Sequence, residues 1–319
     1  MARRRHPSPI RIVAALCACL GLGTAKAQET APAATPLPMD EIADGVFVHR
    51  GHDETPSRAN AGDIADIGFI VGGEAVAVID SGGSPAVGRR LRAAIRQRTD
   101  LPIRYLINTH VHFDHLFGNG AFVDDAPELV AHARLQGALM ARADAYLASF
   151  KDTVGSEAAS KVLMLPTDMP VSDRLEIDLG GRVLELTAHE TAHTNNDLTV
   201  FDRRTATLFA GDLVSIDHIP ILDGSVLGWL DVLDRLEEVP AERVVPGHGP
   251  VAGQWPEAMV AQRRYLEDLV TQIRTVQRAR GTIQQAVEEV GRRHAERWVL
   301  FDEYHRRNVT AAFAELEWE

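Results

Sequence analysis

Residues 103–119 read IRYLINTHVHFDHLFGN, and four side chains able to bind a metal, His110, His112, Asp114 and His115, fall within six consecutive positions. The run ahead of them, Ile103, Tyr105, Leu106 and Ile107, is apolar and rich in residues that favour extended backbone, so it reads as a buried strand. Past Asn108 the chain is expected to leave its sheet. If it stays extended there, His110 and His112 point the same way and can share one ion, because alternate residues of an extended chain project on one side. Asp114 and His115 then fall on the following turn, facing a second ion. Neutral imidazole suits zinc, and the carboxylate adds the charge that a divalent cation prefers. The bland alternative is a polar loop that happens to hold three histidines. Further ligand types elsewhere in the chain argue against it.

Those further ligands follow apolar runs. Residues 183–187, 198–201 and 207–210 read as strands, as does the short segment 243–245. The first leads to a loop carrying His193 in Ala-His-Thr-Asn-Asn-Asp, the third ends at Gly211-Asp212, and the last ends at Pro246-Gly247-His248-Gly249. Loops at strand ends are where a rigid sheet presents several side chains to one site. Upstream, Val46–His49, Ile67–Val71 and residues 75–79 are strand candidates, the last two joined through Gly72-Gly73. The polar stretch 52–66 has no assignable pattern. Asp80-Ser81-Gly82-Gly83 leads into a helix with Ser84 as N-cap, Pro85 in its first turn, and Val87, Leu91, Ala94 and Ile95 as its apolar face. A second helix is predicted from Pro127 through Leu129, Ala133, Leu135, Leu139 and Met140, and a lid or helical insertion over residues 149–172. Residues 228–239 read as helix. From Pro256 the pattern is mostly helical, with a break at Gly281, and no solenoid repeat is visible.

At 319 residues and an ordinary hydrophobic fraction of 45%, the chain has material for one large domain or two small ones. Residues 1–27 have the layout of a secretory signal: Arg3, Arg4 and Arg5, an apolar run from Ile10 to Leu22, and Ala25-Lys26-Ala27 as the cleavage site. Leu16-Cys17-Ala18-Cys19 fits a lipid-attachment site poorly, and the tandem arginines alone do not separate twin-arginine from general export. Cleavage after Ala27 removes both cysteines and five basic residues, which leaves 28 Lys and Arg against 45 acids, a net charge of −17. So acidic a chain is a poor partner for nucleic acid or an anionic membrane surface. No later apolar run is long enough to span a bilayer. A soluble periplasmic protein is the expectation. Residues 28–38, rich in Pro, Ala and Thr, read as a disordered linker. Residues 39–319 read as one domain, mostly helical over 256–319.

The cluster His-x-His-x-Asp-His, followed in order by Ala-His-Thr, Ala-Gly-Asp and Pro-Gly-His-Gly, resembles the metallo-β-lactamase superfamily. The resemblance implies an α/β (α+β) fold, the αββα sandwich, with a metal site along one edge of the packed sheets and here a helical C-terminal extension. It implies a ligand set as well: His110, His112 and His193 for one metal, Asp114, His115 and His248 for the other, and Asp212 bridging both. All seven positions match the dinuclear hydrolase pattern. The absence of a cysteine ligand is similar to glyoxalase-II and lactonase members rather than to lactamases that use cysteine. Over almost the whole chain after the signal, the sequence also resembles a narrower group, the quinoprotein relay system zinc metallohydrolases, related to a protein of sulfur-oxidation gene clusters. The segments that carry this are Gly62-Asp63-Ile64-Ala65 with Gly68-Phe69-Ile70-Val71-Gly72, Leu222-Asp223-Gly224-Ser225 with Gly228-Trp229-Leu230, and Arg307-Asn308-Val309-Thr310 through Glu315-Leu316-Glu317-Trp318-Glu319. This implies a link to quinoprotein dehydrogenases and identifies no substrate.

Two zinc ions roughly 3.5–4 Å apart would lower the pKa of a shared water to about 7, making hydroxide available at neutral pH. Asp114, beside them, would accept the water's proton and pass it to the leaving group. An ester, thioester, lactone or amide of a small molecule fits that attack equally. Asp80 is expected to orient a ligand histidine or to shape a turn. His218, Asp223 and Ser225 are expected to line the substrate mouth or to sit as satisfied loop residues, and His189 to be loop or a ligand's neighbour. His132 on the predicted helix, and His49, His52, His294 and His305, read as surface or packing residues. Trp298, Phe301, Tyr304 and Trp318 read as packing of the terminal helices on the core. Two other functions compete. One is an iron-dependent sulfur dioxygenase of the same fold, with a single iron and part of this ligand set. The other is a non-enzymatic carrier of a quinone-related ligand, which would not need both metal sites complete.

Overall fold

The computed structural model describes residues 34–318. The expected signal with its two cysteines, residues 28–33 of the expected linker, and Glu319 lie outside the described residues. The N-terminal half forms β1 (Asp40–Ala43), β2 (Val46–His49), β3 (Ile67–Val71), β4 (Val76–Ile79), α1 (Pro85–Arg98), β5 (Ile103–Asn108), α2 (Phe113–Leu116), β6 (Glu128–His132), α3 (Leu135–Thr153), α4 (Ser156–Ala159) and β7 (Met169–Val171). The C-terminal half forms β8 (Arg174–Asp178), β9 (Val183–Ala188), β10 (Leu198–Asp202), β11 (Thr207–Ser215), α5 (Val226–Glu237), β12 (Arg243–His248), α6 (Val260–Arg278), α7 (Ile283–Glu289) and α8 (Phe301–Leu316). Strands β1 to β7 make one sheet in sequence order, antiparallel as far as β4 and parallel from β4 to β7. The second sheet runs β12-β11-β10-β9-β8, antiparallel except for the parallel pair β11–β12.

Side chains leave a strand on alternate faces, and β4 shows where each face goes. Val76 and Val78 pack with Val87, Leu91 and Ile95 of α1. Ala77 and Ile79 pack instead with Leu184, Leu186, Leu198 and Val200 of the second sheet. The outer face of that second sheet, through Leu208, Ala210 and Val244, lies under Trp229 and Leu233 of α5 and under α6 and α8. Helix, sheet, sheet, helix is therefore the layer order, the αββα sandwich expected. The C-terminal helices form its outer layer. On α6, Tyr265, Leu266, Leu269, Val270, Ile273 and Val276 are buried at the spacing of one helical face. Helix α1 starts as read from sequence, with the Ser84 hydroxyl accepting the Val87 N–H at 3.2 Å.

Several expectations are corrected. Residues 128–132 are a strand, and the helix predicted from Pro127 begins only at Leu135. Leu129, Val130 and Ala131 are all buried, and an apolar run covered on both faces carries no period that separates strand from helix. His132 accordingly ends a strand. Residues 149–172 hold the end of α3, the short α4 and β7, so the stretch is helical in its first part only. β11 continues to Ser215, and β12 runs on to His248, so Asp212 and His248 lie within paired strands, not beyond them. β1, β7 and β8 have too few apolar residues to stand out in the sequence, and sheet pairing makes them strands. At the end of the expected linker, Leu37 is buried and its N–H donates to the Arg90 carbonyl at 3.1 Å, so that part is docked. Among the described residues no helix is long and apolar enough to cross a membrane.

Candidate metal centre

Beyond β5 the ligand loop is held from below. The Asn119 amide donates to Asn108 Oδ1 at 2.8 Å, and the Ser81 hydroxyl donates to Asn119 Oδ1 at 2.7 Å. Asp80, with a left-handed φ of 55°, accepts both the N–H and the hydroxyl of Thr109, at 2.8 and 2.7 Å. The same carboxylate accepts from His115 Nδ1 at 2.8 Å. Asp80 thus fixes the loop and one ring in it, as expected of a residue that orients a ligand.

Every histidine of the expected ligand set is held by one ring nitrogen, so the other is committed to the centre. His110 Nδ1 is bound to Thr109 Oγ1 at 3.0 Å, and His112 Nε2 to Asp223 Oδ2 at 3.1 Å. His193 Nδ1 donates to the Ile221 carbonyl at 2.6 Å, and His248 Nδ1 to the Ile64 carbonyl at 2.9 Å. The free atoms converge in two groups, His110, His112, His193 and Asp212, then Asp114, His115 and His248, with the atoms of each group within 4.8 Å of one another. Asp212 stands between the groups: Oδ2 is 3.4 Å from His193 Nε2 and 3.4 Å from His248 Nε2, while Oδ1 is 3.1 Å from His115 Nε2. His193 Nε2 and His112 Nδ1 are 3.0 Å apart, and His248 Nε2 is 3.4 Å from Asp114 Oδ2. Ligand atoms at about 2.0–2.2 Å around one tetrahedral ion stand roughly 3.3–3.6 Å from each other, and the distances here, 3.0–3.8 Å, straddle that range.

His110 Nε2, His115 Nε2 and Asp212 Oδ1 are buried with no hydrogen-bond partner. Orphaned polar atoms of this kind are costly in a folded protein unless something pairs with them. Nitrogen and carboxylate donors of this type fit a divalent metal, and two groups sharing Asp212 are compatible with a dinuclear centre. Charge follows the same geometry. Burial alone would raise both carboxyls, yet the flanking histidines hold Asp114 down to about 2 and Asp212 well below the ordinary range. Burial lowers His193 to about 3 and His110 well below its usual value. His115 and His248 go the other way despite burial, held well above it by Asp212 with Asp80 and Asp114.

A pocket of about 340 Å³ opens over both groups. Its floor includes His112, Asp114, Asp212 and His248, and its walls come from several places in the chain, Glu54, Pro56 and Ile64 after β2 among them. His218, Ile221 and Asp223 belong to the segment after β11, Arg142 and Tyr146 to α3, and Tyr304 and Arg307 to α8. His218 lies nearly parallel to the His248 ring, centroids 4.6 Å apart. Ser225 does not line the pocket: its hydroxyl accepts the Gly228 N–H at 2.9 Å, capping α5, and donates to Glu315 at 2.6 Å. Tyr304 packs against the core as expected and also lines the pocket, Trp318 is 90% exposed, and Trp298 and Phe301 are buried as expected. His189 is bound to Thr199 Oγ1, His49 to Asp63, His294 to Asp268 and His305 to Tyr265, and none belongs to either metal group. His132 accepts the Arg134 N–H, and His52 is exposed. Arg142, Tyr146 and Arg307 were not legible as site residues, because charged and mixed positions on amphipathic helices read as a solvated face.

The three segments behind the narrower resemblance meet at this pocket. Ile64 lines it and receives His248, Asp223 receives His112 and Arg307 (2.8 Å), and Asn308 Oδ1 accepts the Leu222 N–H at 2.9 Å. Gly247 is required by the centre itself, since a Cβ there would stand 1.9 Å from Asp212 Oδ1.

A family model for the metallo-beta-lactamase superfamily matches residues 61–248. A beta-lactamase-like protein 2 homolog of Caenorhabditis elegans is 24% identical over 216 residues, covering 67% of this chain and 64% of the relative. A linear primary-alkylsulfatase of Pseudomonas sp. (strain ATCC 19151) is 22% identical over 219 residues, covering 57% of this chain and 41% of the relative. The chain thus spans less than two thirds of the length of these curated relatives. Among solved structures, a metallo-beta-lactamase from Pontibacter korlensis is similar with a TM-score of 0.59 and 20% identity, over 73% of this chain and 99% of that one. At that identity the likeness is one of fold.

Proposed function

We propose that this chain, which belongs to the metallo-β-lactamase superfamily, is an exported dinuclear zinc hydrolase of a small-molecule ester, thioester, lactone or amide. The observation that carries this is the convergence of seven nitrogen and carboxylate donors, three of them with buried atoms that have no other partner. Two zinc ions, when bound, supply the positive charge that polarises the scissile group and brings the pKa of water down to about 7. Asp80, Asp223, Thr109 and two backbone carbonyls keep the five imidazoles aimed at the centre. Asp114 turns Oδ2 toward His248, which leaves Oδ1 to take up the water's proton. As a carboxylate beside the centre, Asp114 would then pass that proton to the leaving group. Burial raises the phenols of Tyr146 and Tyr304, so in the pocket they act as hydrogen-bond donors to substrate oxygen.

The similarity to a primary-alkylsulfatase favours a second reading, in which the bond cleaved belongs to a sulfate ester. The signal layout of residues 1–27 supports export to the periplasm with a mature start at Gln28, and the three segments that meet at the pocket support a functional link with quinoprotein dehydrogenases. The test is metal analysis of protein purified without added metal, joined to a hydrolysis screen over lactones, thioesters, carboxylic esters, β-lactams and alkyl sulfates. Two zinc ions per chain with turnover of one class is the expected result. One iron and no hydrolysis would instead favour the sulfur dioxygenase, and neither turnover nor metal would favour the quinone-related carrier. Asp114→Asn should lose about a hundredfold or more in rate, even with zinc restored to the second group. Full rescue by zinc would reduce Asp114 to a ligand alone.

A further inference from the structure

Two helices that line the pocket each contribute one arginine, Arg142 from α3 and Arg307 from α8, and both are paired with the same carboxylate, Asp223. Arg307 Nη2 donates to Asp223 Oδ1 at 2.8 Å. Arg142 Nη2 reaches Asp223 Oδ2 only at 3.4 Å, at the weak end of hydrogen bonding, and shares that oxygen with His112 Nε2 at 3.1 Å. One acid thus faces two guanidiniums and an imidazole, and the arginine pair keeps a net positive charge. Each guanidinium has five N–H donors in a planar fork, of which Asp223 engages one nitrogen per side chain. Their side chains are 31% and 50% exposed, so the unused donors are open to solvent and ligand. Glu54 also lines the pocket with its negative charge, but it is paired with neither arginine, its carboxylate accepting from the neutral Asn60 amide at 3.1 Å. In a chain of net charge −12, two arginines brought by unrelated helices to one pocket mark a local preference for anions.

We infer that Arg142 and Arg307 form an anion clamp, and that the substrate carries a second, carboxylate-type group remote from the bond that is cleaved. Planar guanidinium forks match a carboxylate bidentately, and Asp223 sets their spacing while bound to His112, a member of the first metal group. The substrate's anionic end would thereby be held at a set distance from the centre. Pro56, Ile64, Phe113 and Ile221 supply apolar wall for the carbon chain between the two ends. This inference rests on the hydrolase reading for the word substrate, and on the pocket alone for the binding of an anion.

The test separates the two. Calorimetric titration of the zinc-loaded protein with linear dicarboxylates, succinate through suberate, is compared with the monocarboxylates of equal chain length. Both series offer one carboxylate to the centre, and only the diacids offer a second to the arginines. At the best-fitting length the diacid should bind about tenfold tighter or more, the size expected for one charge-assisted pair. R142Q/R307Q should erase that ratio, and Arg203→Gln, on the far hairpin between β10 and β11, should leave it unchanged. A ratio near one in the wild type, or a ratio that survives in R142Q/R307Q, overturns the clamp. In parallel, 4-nitrophenyl pentanoate and mono-4-nitrophenyl glutarate are compared as substrates, and the hemiester should show the lower KM by a similar factor. If neither ester is turned over while the diacid ratio holds, the clamp stands and the carboxylic ester reading falls.

Discussion

At the scale of single residues, the centre depends on which nitrogen each imidazole is free to use. Asp80 decides this for His115 while also holding Thr109, and its left-handed φ of 55° is one that Asn tolerates. Asp80→Asn should therefore fold normally and weaken the second metal by about 10–100-fold, as loss of such an outer carboxylate typically does. Competition with a chromophoric chelator measures this, and unchanged affinity would make Asp80 a turn residue. Protonation sets an order of metal release. His115 and His248 have raised pKa values, so in the metal-free protein they hold protons at pH values where His110 and His193 are already neutral. As pH falls, protons displace metal first where the histidines are raised. The Asp114, His115 and His248 group should empty before the His110, His112 and His193 group. Zinc retained after dialysis at stepped pH should fall in two stages, with the early stage absent from His248→Ala. A single stage in the wild type contradicts this order.

At the scale of elements, the segment between β11 and α5 joins the metal centre to the last helix. Ser225 caps α5, and Glu315 of α8 accepts from the Ser225 hydroxyl at 2.6 Å and from the Val226 N–H at 2.7 Å. Ser225→Ala should lower stability by about 1–2 kcal/mol, at the upper end for a lost cap because its partner Glu315 also loses a bond. Urea denaturation measures that loss. Zinc content should stay at the wild-type level, since Ser225 touches no ligand, and loss of metal would place it nearer the site than its hydrogen bonds do. α1 was legible in detail because Ser84, Pro85 and an apolar stripe all report local preference. β6 was not, because Leu129, Val130 and Ala131 are buried by neighbours on both faces and carry no period of their own.

At the scale of the whole molecule, α6 and α8 are a wall of the sandwich, and one of them also walls the pocket. α8 sends Phe301, Val309, Ala312 and Phe313 into the core, while Tyr304 and Arg307 face the pocket. Phe313→Ala should cost about 3–5 kcal/mol by the usual measure of a large side chain removed from a core. Because domains are stable by only about 5–15 kcal/mol, such a loss should show as a sharply lowered urea midpoint. A shift below about 1 kcal/mol would mean that α8 is attached to the sandwich without stabilising it.

By itself, the sequence picked out the candidate donors. His110, His112, Asp114, His115, His193, Asp212 and His248 were readable because a metal site calls for particular residue types, here close to apolar strand segments and beside small residues that leave room. The strands whose own residues favour extended backbone, β2, β3 and β5, were readable for a local reason too. Only the tertiary structure decided the substrate side. His218 and Asp223 were already candidates for the mouth, but Arg142, Tyr146, Tyr304 and Arg307 come from helices as much as 165 positions apart and meet them through layer packing, which leaves no local mark. The same holds for edge strands such as β8, whose residues become a strand because β9 pairs with them. A donor atom's chemistry is carried by its own residue, whereas a pocket wall exists only where separate elements have been brought together.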